Sequence, residues 1–152
     1  MDSRGISKAE TSYSSGEPDL SRQRQIDFYR EASARISAAQ SLEERLSSLV
    51  KDSTRRVLLA HPENTGSSRQ VAACMRDIEY FIKFIIYALI SGTTSTLDEN
   101  LLNGLRETYH ALGLSLSCAV TALEGIKSNH QLIETEARLT NEYIDYIINA
   151  LT

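Results

Sequence analysis

The chain reads as all-α, and three observations carry that reading. Apolar residues recur at three- and four-residue spacing from residue 20 onward. No stretch alternates apolar and polar residues over the length of a strand. Three Ser/Thr-x-x-Glu/Gln patterns, at Ser41–Glu44, Ser67–Gln70 and Thr96–Glu99, stand where helices are due to begin.

Residues 1–19 are rich in Ser, Gly and charge and hold no sustained period, so they are read as a mobile or atypical N-terminal arm ahead of one domain over 20–152. A first amphipathic helix runs from Leu20 to Ala39, with Ile26, Tyr29, Ala32, Ile36 and Ala39 on its apolar side. The Ser41/Glu44 pattern then opens a second helix carrying Leu42, Leu46, Leu49, Val50, Val57 and Leu58. Pro62, Asn64 and Gly66 mark a short loop. Ser67 and Gln70 open the most apolar helix, which ends near Gly92, glycine being the usual residue just past a helix C-terminus. Thr96 and Glu99 open a helix that runs to Gly113. Two more follow, around 118–127 and 134–150, the last with Leu139, Tyr143, Ile147 and Leu151 on one side.

The 152 residues suffice for one domain with a substantial core, and 41% hydrophobic and 24% charged content is that of an ordinary soluble globule. A net charge of −4 argues against a nucleic-acid binder, which needs clustered positive charge to neutralise phosphates. The apolar run from Val71 to Ile90 is broken by Arg76, Asp77, Glu79 and Lys83, so it reads as a buried helix and any membrane association as peripheral. Met1 to Ile6 hold no signal-peptide core, and two widely separated cysteines make no disulfide framework, which favours a reducing intracellular compartment. His61, His110 and His130 are scattered, with no metal-ligand spacing, nucleophile elbow or phosphate loop, so the chain is not read as an enzyme. Tryptophan is absent, and since no ordinary side chain absorbs visible light, any strong visible absorbance would have to come from a bound group.

Cys74-Met75-Arg76-Asp77 is the segment richest in chemistry. Residues three apart on a helix are neighbours, so Cys74 and Asp77 project from one face. A carboxylate on the inner side of so apolar a helix needs several hydrogen-bond donors to offset its desolvation.

The sequence around this run resembles the phycobiliproteins, the bilin-carrying light-harvesting subunits of cyanobacteria and red algae. The likeness spans roughly residues 20–152. It rests on Ala72-Ala73-Cys74-Met75-Arg76-Asp77, Tyr87-Ala88-Leu89 with Gly92, Leu97-Asp98-Glu99, Asn103-Gly104-Leu105-Arg106-Glu107-Thr108-Tyr109, Leu112-Gly113 and Tyr143-Ile144-Asp145-Tyr146. Leu97–Glu99 and Asn103–Tyr109 are similar to the β-type subunit. Glu79 resembles phycocyanin and phycoerythrin β chains, and Tyr80 resembles allophycocyanin.

The resemblance implies a globin-like helical fold with an N-terminal extension, short and atypical here. It implies one bilin, phycoerythrobilin or phycocyanobilin, held by a thioether to Cys74. Asp77 would accept hydrogen bonds from the pyrrole nitrogens, and Arg76 and Arg69 would meet the propionates. Gln70 stands where the family often has a second arginine. Asn64 aligns with an asparagine that β subunits commonly carry methylated, in a loop shortened by several residues. Tyr80, Tyr87 and Tyr109, with Phe81 and Phe84, would pack on the conjugated rings. Cys118 matches no bilin position and is read as a packed thiol.

The same resemblance implies an antenna β-type subunit passing excitation toward chlorophyll, allophycocyanin-like or, given the altered arm and short loop, a reduced phycoerythrin. An α-type subunit, linker proteins and a bilin lyase are the implied partners, with assembly weakened because residues 1–19 lack the apolar period of docking helices. The implied place is the cytoplasmic side of the thylakoid or a plastid. The alternative is a regulatory, photosensory or assembly protein on the same fold.

Overall fold

The computed structural model describes residues 19–152, the side chain of Asn64 excepted. The expected arm therefore lies outside the described residues, Asp19 apart. Among the described residues six α-helices follow in order: α1 (Leu20–Glu44), α2 (Leu46–Ala60), α3 (Ser68–Ser91), α4 (Leu105–Ala111), α5 (Leu116–Asn129) and α6 (Glu134–Leu151). A 3-10 turn at Pro62–Thr65 precedes α3 and a π-helical turn at Leu97–Leu102 precedes α4. No strand occurs among the described residues.

The chain divides between Ala32 and Ser33 into two compact units. In the first, Asp19 Oδ1 accepts the Arg22 N–H at 3.0 Å and so opens α1. Phe28 and Tyr29 are 64% and 70% exposed there, their rings 5.8 Å apart and edge-on. The apolar period expected from Leu20 to Ala39 thus forms a helix without burying Ile26, Tyr29 or Ile36. Burial on α1 starts only at Ala38, Ala39 and Leu42.

The second unit is built around α3, whose Ile78, Ile82, Ile85 and Leu89 are almost fully buried. Against them stand Leu49 and Val57 of α2, Leu123 and Ile126 of α5, and Leu139, Ile144 and Ile147 of α6. α2 and α5 approach most closely. Gly125 permits it, because a Cβ there would lie 3.2 Å from Ser53 Cα.

Two helix starts differ from expectation. Ser41 caps nothing, because α1 continues past it and the Arg45 N–H bonds the Ser41 carbonyl at 3.1 Å. The break comes at Arg45, whose guanidinium reaches the His130 carbonyl and, at 3.3 Å, that of Asn129. Thr96 is already helical, φ −65° and ψ −36°, because the turn opens earlier with the Ser95 N–H on Thr93 Oγ1 at 3.1 Å. The helix expected to run on to Gly113 is interrupted at Asn103 and Gly104, the latter at φ 81°.

Elsewhere the starts and stops follow the sequence. Ser67 Oγ accepts the Gln70 N–H at 3.2 Å, and Gly92 closes α3 at φ 74°. Arg35 Nη1 donates to the Leu89 carbonyl at 2.8 Å, and Arg106 Nη2 to that of Ala150 at 3.2 Å. With Arg45 at the end of α5, three helix C-termini are met by guanidinium groups, where carbonyls lack partners and the helix dipole favours a cation.

Candidate functional site

The early turns of α3 face α5 across a hollow of about 250 Å³. Cys74, Asp77, Ile78 and Phe81 line it from α3, Tyr109 from α4, and Cys118, Ala119 and Ala122 from α5. The space exists because small residues face it. Ser115, Cys118, Ala119 and Ala122 recur at i, i+3, i+4 and i+7, the spacing of one helix face, and Ala73 faces them from α3. A second hollow of about 340 Å³ takes in Tyr80, Phe84 and Asn100. Asp77, Phe81 and Tyr109 belong to both walls, so the hollows adjoin at the carboxylate.

The electrostatics of this wall are set first by burial. Burial pushes the Asp77 carboxyl above the usual carboxylate range, and the Arg76 guanidinium only partly opposes it. Arg76 lies 3.9 Å away and is itself 64% exposed, so its pull is screened by solvent. The Cys74 thiol is pushed up to about 11, chiefly by burial, with the Asp77 charge and Cys118 adding to it. The Tyr109 phenol is pushed up in the same way, by burial first and then by Asp77 and both sulfurs. An extended ligand with N–H groups at Asp77 would give this half-buried carboxylate hydrogen-bond donors, and the largely apolar walls suit a conjugated body.

The structure thus brings Cys74, Asp77, Tyr80 and Tyr109 together along the paired hollows. Arg76 and Arg69 are exposed and line neither. Tyr87 is 54% exposed, lines neither, and meets Phe84 edge-on at 6.2 Å. Asn64 lies in the 3-10 turn, and its side chain is outside the described residues. Gln70 does line the first hollow. Sequence reasoning missed Cys118 and Glu63 as wall residues. The small-residue face of α5 was the available signal for Cys118, whereas Glu63 carried none.

The chain matches the phycobilisome protein family over residues 11–151, nearly its whole length. It belongs to that family. The phycobiliprotein is 35% identical to an allophycocyanin beta chain of Synechococcus sp. over 132 residues, 82% of each chain. It is 34% identical to an allophycocyanin subunit beta-18 of Cyanophora paradoxa over 78% of this chain and 74% of the relative. An allophycocyanin beta chain of Synechocystis sp. is 33% identical over 82% of both chains. Phycobiliproteins are light-harvesting pigment proteins and not enzymes, and this chain is one of them. The all-α reading agrees with the helical fold of the family. No helix among the described residues is long and apolar enough to cross a membrane.

Proposed function

We propose that this phycobiliprotein carries one bilin, thioether-linked to Cys74, as the β-type subunit of an antenna that hands excitation on toward chlorophyll. The observation that carries the reading is the pairing of Cys74 with a half-buried Asp77 on one wall of the paired hollows. A bound bilin supplies the visible absorption, and the protein supplies position and electrostatics. Asp77 would hold the pyrrole N–H groups, favouring the charged, extended pigment. Phe81 and Tyr109 would stop it twisting, which otherwise dissipates the excitation. Arg76 and Arg69, both exposed, are suited to propionates that remain at the surface.

Cys74 must lose its proton to form the thioether, and a thiol pushed up to about 11 seldom does so unaided at neutral pH. This favours a bilin lyase as partner. The reported relatives are named as allophycocyanin β subunits, which favours the allophycocyanin-like type over a reduced phycoerythrin. An α-type subunit is the natural occupant of the exposed Phe28 and Tyr29 on α1, and linker proteins would join such pairs at the thylakoid surface.

The test is covalent pigment on the protein from its native cell. Zinc-enhanced fluorescence after denaturing electrophoresis, with intact mass, should persist in Cys118→Ala and vanish in Cys74→Ala. Pigment retained by Cys74→Ala would overturn the assignment.

A further inference from the structure

His61, Glu63 and Cys118 bring three ligand atoms of different chemistry within 4.8 Å of one another. His61 ends α2, Glu63 lies in the turn after it, and Cys118 comes from α5. The protons around His61 follow from its neighbours. Thr121 has a single hydroxyl proton and donates it to the Ser117 carbonyl at 2.9 Å. Its oxygen can therefore only accept from His61 Nε2, 3.0 Å away. Nε2 then carries a proton, and Nδ1 faces Glu63 Oε1 at 3.3 Å. That contact needs a proton or a metal ion between nitrogen and oxygen, and the Cys118 sulfur within 4.8 Å of both supplies the third ligand a metal would use.

We propose that His61 Nδ1, Glu63 Oε1 and Cys118 Sγ bind a divalent transition metal of the Zn²⁺ type. Thiolate, imidazole and carboxylate are the donors Zn²⁺ takes, and a ligating imidazole characteristically gives its other N–H to an oxygen, as His61 does to Thr121. Ligand atoms around tetrahedral zinc lie about 3.3–3.8 Å apart, given bond lengths of roughly 2.0–2.3 Å. The His61–Glu63 separation of 3.3 Å already fits, and the 65% exposed Glu63 side chain is free to close on the sulfur. On binding, the Cys118 thiol releases its proton to solvent and the thiolate pair goes to the metal. Water completes the fourth position. Because Cys118 and Glu63 line the hollow that holds Cys74, the metal would occupy the second thiol and leave Cys74 as the sulfur available for other chemistry. The inference does not rest on the pigment.

The full chain expressed without pigment is the sample to use, since pyrrole nitrogens bind metals themselves. Co²⁺ is the probe. One equivalent should produce a thiolate-to-metal charge-transfer band, displaced by Zn²⁺, retained in Cys74→Ala and lost in Cys118→Ala. Thr121→Val removes the acceptor behind His61, along with the hydroxyl's own bond to the Ser117 carbonyl, and should weaken Zn²⁺ binding roughly 10–100-fold. As a check independent of the folding of Cys118→Ala, Zn²⁺ should slow alkylation of the one remaining thiol in Cys74→Ala. Absence of the band in the wild-type chain, or alkylation unaffected by Zn²⁺, would overturn the proposal and leave a protonated His61 paired with Glu63.

Discussion

Replacing Gly125 by alanine sets two effects of known size against each other. A Cβ at this position would meet Ser53 Cα at 3.2 Å and Ser53 Cβ and Arg56 Cδ at 3.4 Å. The nearest of these is backbone and does not swing aside, so α5 must move from α2 by a few tenths of an ångström. Overpacking of this kind costs about 1–3 kcal/mol. The helix itself gains about 1 kcal/mol when alanine replaces glycine in its interior. The difference is a net loss of about 1 kcal/mol, or ~2–4 °C in Tm for a chain of this size. Urea and thermal unfolding of the pigment-free protein, followed by far-ultraviolet circular dichroism, read this directly. The urea slope should be unchanged, because the surface exposed on unfolding is the same. A Gly125→Ala protein more stable than wild type would refute the reasoning, since it would mean that α2 and α5 separate at no cost. α5 also carries Cys118, Ala119 and Ala122, so the same displacement should alter pigment loading.

Asp77→Asn should keep the pigment by mass while weakening and shifting its visible band, and an unchanged spectrum would show that the carboxylate faces elsewhere. In the pigment-free protein the folded-state carboxyl lies above its unfolded value of 3.8, so its contribution to stability is greatest below that value and is lost as pH rises through the folded one. Asp77→Asn should flatten that part of the pH–stability curve, measured by urea midpoints across acid pH. Alkylation of Cys74 in a Cys118→Ala background should accelerate as pH rises toward about 11, rather than levelling off near the ordinary thiol value, when rates are followed by mass spectrometry. Gly113→Ala meets no atom within 4 Å but sits at φ 68°, so it should cost about 1–2 kcal/mol through backbone strain alone, read by the same unfolding assay.

The helices were legible because their burial is periodic and because Ser67, Gly92 and Gly113 act locally. The Ser41 and Thr96 patterns misled for one reason. A cap is needed only where backbone donors lack partners, and preceding turns already supply them at both places. The exposure of Ile26 and Tyr29 was hidden too, since a period says that a face exists and not what covers it. At the site, Cys74 and Asp77 follow from their spacing of three on one helix. Glu63 is set beside His61 by the 3-10 turn, whereas Cys118 lies 57 residues on from His61 and only the packing of α2 on α5 brings it near.

The three guanidinium groups at helix ends share a direction along the chain. Arg35 precedes the carbonyl it meets by 54 residues, Arg45 by 85 and Arg106 by 44. In each case the cation is synthesised before the helix it closes. During vectorial synthesis, then, the partner is already outside the ribosome when the last turns of α3, α5 and α6 emerge, and each helix can dock on its own stop as its final carbonyls appear. A circular permutant starting at Leu46 would place Arg35 and Arg45 after the helices they close, reversing that order for α3 and α5.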